Sequence, residues 1–292
     1  MRLSIGHRIL SAGLKLGLGV LLAANWAAAQ QSAPSLTEWD LYCSGLPTTQ
    51  KIPTDAYVIS GENASYMVTY FKGREVFINR GAAQGVRAGD GFEVVRPVSD
   101  PLKAKWFRWQ PGLLHAMGTI YADIGRLRVV SVQPRTSVAQ IELSCDMMQR
   151  GDIVRPFTAR PAPPLHNVPF DHHVLPTGKG IAMVVAGKGF TNAVSAGDIV
   201  YVNLGSAQGV QIGSYFRMFR YQGSRNEMVY QVPRMEYEVY GLGRAPAAYT
   251  WSSLPPEVVG EGIVLRTGPN SSTVMVTTSR EVVMAGDYVQ LE

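Results

Sequence analysis

The 292-residue chain is poor in the features that usually announce chemistry. Its apolar run from Leu16 to Ala24 is broken by glycines and falls short of the roughly 20 residues that a membrane-crossing helix requires, so no span is expected in the mature chain. Charged residues make up only 17% of the sequence, with no Lys/Arg run of the kind that neutralises phosphates, which argues against nucleic acid as a partner. Catalytic groupings are missing too. Ser206 and Ser214 lack a His and Asp frame, and His115 stands alone in Leu-Leu-His-Ala-Met-Gly. Asp90 and Glu93 fall on opposite sides of one strand, the wrong geometry for paired acids. The stretch Ala-Gly-Lys-Gly-Phe (186–190) lacks the spacing and following helix of a phosphate-cradling loop. The expectation is a protein that is not an enzyme and needs no cofactor.

What is present begins with an export signal. Arg2, Arg8 and Lys15 precede the apolar run, and Ala27, Ala28 and Ala29 follow it, so residues 1–29 read as a secretory signal peptide cleaved after Ala29. Its removal leaves 24 basic against 22 acidic residues, a formal charge of +2. An apolar content of 46% indicates a folded globular chain, and the signal peptide makes it an exported one, expected in the periplasm or cell envelope. In that oxidising setting the two cysteines, Cys43 and Cys145, are expected to form one disulfide.

Most segments alternate apolar and polar residues with the period of a half-buried strand. In Ser-Val-Ala-Gln-Ile-Glu-Leu-Ser-Cys (137–145), Ala139, Ile141, Leu143 and Cys145 share one face, and Gln140 and Glu142 the other. One pattern is then written twice. Placing Asn79 over Asn203 also aligns Gly81 with Gly205, Gln84 with Gln208, Gly85 with Gly209, Val86 with Val210, Gly89 with Gly213 and Phe92 with Phe216. The pair Gly-Asp recurs at Asp90, Asp152, Asp198 and Asp287, each time just before a strand, as expected of a tight turn rather than an acid catalyst. Ser214 stands where the first copy has Asp90, an exchange that a catalytic acid would not tolerate.

Proline is concentrated between the copies. Thr158 to Thr177 reads as a stiff linker joining a first unit, 65–157, to a second, 178–292, with an extension at 30–64 that carries Cys43. The fold class is all-β, two small barrels in tandem with glycines at their corners.

The series Asn-x-Gly-x-Ala-Gln-Gly-Val-x-x-Gly-x-x-Phe, closed by Gly-Asp-x-Val, resembles the carboxy-terminal domain of flagellar assembly protein T. It also resembles the related β modules that follow lysin-motif domains in bacterial envelope proteins. The resemblance covers both units and implies a small SH3-like β barrel, exported and without catalytic residues, serving assembly or attachment in the envelope. No lysin motif is present, so glycan binding is not implied by the resemblance.

Two places could carry function. The segment Asp100 to Gly112 interrupts the first unit and gathers Trp106, Phe107 and Trp109 with Lys105 and Arg108, the mixture of aromatics and cations used by protein hot spots, glycan-stacking sites and anionic surfaces. The second unit has a longer insertion at the equivalent point, with Tyr230, Tyr237, Tyr240, Tyr249 and Trp251. His166, His172 and His173 crowd the linker, but adjacent histidines on an extended chain point apart, so no metal is assigned to them. The expected partner is another envelope protein or a cell-wall component. Two alternatives stay open: a peptidoglycan-binding module, and a secreted hydrolase or metal-dependent enzyme whose site lies in a cleft between the units.

Overall fold

The computed structural model describes residues 35–166, 168–178, 180–221 and 254–292. The expected signal peptide lies outside the described residues. The described residues belong to one compact unit.

The chain is mostly β, with two short helices, α1 (Glu38–Tyr42) and α2 (Gln110–Met117), among the described residues. A first group of strands comprises β1 (Leu46–Thr48), β2 (Val58–Gly61), β3 (Thr69–Tyr70), β4 (Glu75–Ile78), β5 (Gly91–Val98), β6 (Thr119–Val132), β7 (Ser137–Ser144), β8 (Met148–Gln149) and β9 (Ile153–Pro156). A second comprises β10 (Ile181–Gly187), β11 (Ala193–Val194), β12 (Ile199–Val202), β13 (Tyr215–Arg220), β14 (Glu257–Thr267), β15 (Ser272–Ser279), β16 (Val283–Met284) and β17 (Tyr288–Leu291).

The second group closes into a barrel of order β10-β12-β15-β14-β13-β17, and the first runs in the corresponding order β2-β4-β7-β6-β5-β9. Its end strands also meet, because Val58 N–H donates to Asp152 O and Val154 N–H to Ala56 O, both at 2.9 Å. The small pairs β3-β8 and β11-β16 correspond as well. All pairings are antiparallel, and β6 and β14 bend at register shifts that let a long strand serve two neighbours. β1 and β2 precede Ser65, so the first unit takes in residues that the expected boundary leaves outside it.

The repeated motif is explained by hydrogen bonds. Asn79 Oδ1 accepts from Tyr57 N–H and Asn203 Oδ1 from Met183 N–H, each at 2.7 Å. Gln84 Oε1 accepts from Gly81 N–H at 2.9 Å, and Gln208 Oε1 from Gly205 N–H at 2.8 Å. Gly81 and Gly205 must be glycine because a Cβ there would lie 2.3 Å from Gln133 O and 2.4 Å from Gly268 O. Gly85 and Gly209 end the following helical turn at φ 82° and 86°, the left-handed region that a side chain disfavours. Asp90, Asp152, Asp198 and Asp287 each accept, at 2.8 Å, from the backbone N–H three residues earlier. At Ser214 the hydroxyl does the same job over 3.3 Å.

Each sheet encloses its own apolar cluster, Val76, Phe92, Leu127 and Ile141 in the first and Val200, Phe216, Val264 and Val276 in the second. A third cluster joins the units: Met117 and Ile120 from the first meet Ile199, Tyr201, Ile263, Leu265 and Met275 from the second. β12 is accordingly buried on both faces, whereas β4 keeps the half-buried alternation, with Phe77 exposed where Tyr201 is buried.

Candidate functional site

The first insertion is a built structure. Asp100 Oδ1 accepts from Leu102 N–H at 2.9 Å and its Oδ2 from Ala104 N–H at 2.7 Å, folding the chain into a tight turn. Gln110 Oε1 accepts from Trp106 N–H while Gln110 Nε2 donates to Val185 O of the second unit, both at 2.8 Å. α2 starts with Pro111 in its first turn, where the missing N–H costs nothing, and ends at Gly118.

Phe107 departs from its expected role as a surface contact. It is fully buried against Met183 and Ala285 of the second unit, and the space it fills exists because residue 286 is glycine: a Cβ there would meet the ring at 3.3 Å. The physical reason is its position between two outward tryptophans on a turn, which sends the middle ring inward. Trp106 and Trp109 remain 36% and 52% exposed, and Lys105 and Arg108 are exposed beside them. Of the five expected contact residues, the insertion presents four to solvent and uses the fifth as its anchor.

The seam between the units is the second feature. The disulfide Cys43–Cys145 forms across a Cα separation of 5.3 Å and ties the segment 43–48 to the end of β7. That segment is a strap. It pairs with β6 through β1, and the second unit donates to its carbonyls from Tyr201 Oη to Ser44, from Thr273 Oγ1 to Gly45 and from Ser271 Oγ to Pro47. Beneath it, Asp123 accepts from Gly45 N–H at 2.8 Å and pairs with Arg266 at 3.0 Å and Arg160 at 3.3 Å; Arg160 also reaches Glu93 at 2.6 Å. Burial pulls the Arg160 guanidinium down, yet Asp123 and Glu93 together hold it above its ordinary value. For Arg266, burial wins over the pull of Asp123 and lowers it.

A cleft of about 590 Å³ opens at this seam, lined by Trp39, Ser99, Asp146, Lys188, Phe190 and Tyr201 among others. Lys188 sits 5.7 Å from the Trp39 ring centre, and burial lowers its pKa against the pull of Asp123 and Asp146. The carboxylates around the cleft are already engaged: Asp123 by two arginines, Asp146 by Arg96 at 3.6 Å, Asp198 by Ser195 N–H, and Asp40 by Thr37 N–H in the α1 cap.

The linker is fastened rather than free. Besides Arg160, His166 Nε2 lies 2.7 Å from Glu261 Oε1 and its ring stacks on Tyr215 at 3.8 Å, while the His172 and His173 rings lie 3.9 Å apart. The three imidazoles are therefore not brought to one point, and no group of three His, Cys, Asp or Glu among the described residues is arranged to hold a metal ion. Tyr230, Tyr237, Tyr240, Tyr249 and Trp251 of the second insertion lie outside the described residues.

Sequence reasoning missed Arg160, Asp123 and Arg266 and weighed Glu93 only against Asp90, because the meeting of the four depends on how the units sit together. It also missed a duplicated pair, Arg96 with Asp152 and Arg220 with Asp287, each joined at 2.7 Å. A signal for that pair was available, since both arginines follow the aligned phenylalanines by four residues. Compared with known proteins, the chain matches no family model and no curated sequence.

Proposed function

We propose that this is an exported, non-enzymatic protein of the bacterial envelope, two SH3-like barrels in tandem, that binds another envelope component through its loop insertions. The observation that carries this reading is the first insertion: Trp106 and Trp109 face solvent beside Lys105 and Arg108 on a segment held rigid by Phe107 and Gln110. An insertion so fastened loses little conformational freedom when it meets a partner, which favours binding. The engaged state of the carboxylates around the seam supports a module without acid–base chemistry.

Photo-crosslinking residues introduced at positions 106 and 109, with position 130 on the outer face of β6 as the control, test this in intact envelopes. The expected result is an adduct at 106 and 109 that the control lacks. Retention of every adduct after Trp106→Ala and Trp109→Ala substitution at the non-labelled position rejects the assignment. Co-sedimentation with purified sacculi separates the peptidoglycan-binding alternative. The seam cleft with Lys188 is what favours the hydrolase alternative, and turnover of ester or amide substrates that vanishes in Lys188→Met would establish it instead.

A further inference from the structure

We propose that the outer edge of the first insertion, Leu102, Trp106 and Trp109 with Lys103, Lys105 and Arg108, is a docking surface for an anionic lipid bilayer. This deepens the reading that the insertion is the contact surface, and rests on it.

The segment is two-sided. Its inner side, Phe107 and Gln110, is committed to the second unit, and its outer side leaves part of three apolar side chains, Leu102, Trp106 and Trp109, open to solvent. Leu102 is 83% exposed at the tip of the turn that Asp100 holds closed. A turn stabilised by two side-chain hydrogen bonds that projects a leucine into water serves no purpose for the core. Two tryptophans follow within seven residues, 36% and 52% exposed, at the size and polarity that sit best at the level of lipid headgroups.

Charge selects the occupant. Lys103, Lys105 and Arg108 are exposed, and none of them makes an ion pair among the described residues. Asp100 is the lone carboxylate between residues 100 and 118, and both of its oxygens are occupied by backbone N–H groups. Cations interleaved with tryptophan and leucine match a surface that offers negative headgroups above an apolar layer: aliphatic stems lie along the acyl boundary while the charged ends reach phosphate. The mature chain as a whole is nearly neutral, so attraction to such a surface is local to this edge.

The test uses the mature chain and two sets of vesicles, phosphatidylcholine alone and phosphatidylcholine mixed with phosphatidylglycerol. The protein is expected to co-sediment with the mixed vesicles, with a blue shift of tryptophan emission, and to bind the neutral ones roughly tenfold more weakly. Raised salt should weaken binding to the mixed vesicles. Trp106→Ala with Trp109→Ala, and separately Lys105→Glu with Arg108→Glu, should each reduce binding by about tenfold or more, and the charge variant should leave the unfolding midpoint in place. Absence of binding to the mixed vesicles, or binding that both double variants retain, overturns the proposal. If vesicles fail while adducts to an envelope protein form at positions 106 and 109, the lipid assignment falls and the binding-module reading stands; loss of both removes both.

Discussion

Asp123→Asn is the most informative perturbation of the seam. The side chain is 4% exposed and is shared by the strap, the linker and the second unit. Asparagine keeps the shape but removes the charge and turns an N–H group toward a guanidinium. Arg160 retains Glu93 at 2.6 Å, whereas Arg266, itself 14% exposed, loses the carboxylate that pairs with it. Leaving a buried charge unpaired costs about 3 to 5 kcal/mol, a large share of the roughly 5 to 15 kcal/mol that holds a typical domain together. Urea unfolding followed by circular dichroism reads this as a lowered midpoint. Adding Arg266→Met removes the stranded charge, so the double variant should be more stable than Asp123→Asn alone, because replacing a buried ion pair by apolar groups is often nearly neutral. A cost below about 1 kcal/mol for the single change, or strict additivity in the double variant, would refute the reasoning.

Two further outcomes follow from the same seam. Cys43 and Cys145 lie 102 residues apart, so Cys43→Ser should cost about 4 to 5 kcal/mol on the chain-entropy account, seen as a lower unfolding midpoint that reductant no longer changes. Phe107→Ala should cost about 3 to 5 kcal/mol by emptying its slot beside Gly286, while Trp109→Ala stays within about 0.5 kcal/mol; equal effects in the same denaturation assay would contradict the division of the insertion into anchor and face.

The β-rich fold and its internal repetition were legible because local backbone chemistry dictates them. Asn79, Gly81, Gln84 and Gly85 act on neighbours in their own turn or on the adjoining strand, so their spacing survives in the sequence and reappears at Asn203, Gly205, Gln208 and Gly209. The cysteine pairing was legible by number alone. Long-range partnerships were not. Nothing near Arg266 in sequence marks it as the partner of Asp123, and Phe107 looks like its exposed neighbours until the second unit is placed beside it. The linker shows the same limit: its prolines exclude strands but do not reveal the fastening that Arg160 and His166 provide through side chains.

The two units share a strand order but not the outer surface of the middle strands, and this makes them unequal as seats for a neighbouring module. Ile199 opposite Met275, with Ile263 beside them, makes a dry seat for the preceding unit. At the matching places the first unit has Glu75 opposite Gln140, with Arg128 beside them, all at least partly wetted. Head-to-tail contacts between like modules have no inherent stopping point, since each added module offers the next a fresh seat. Ionic and amide groups on the leading unit make its matching face a poor seat of this kind.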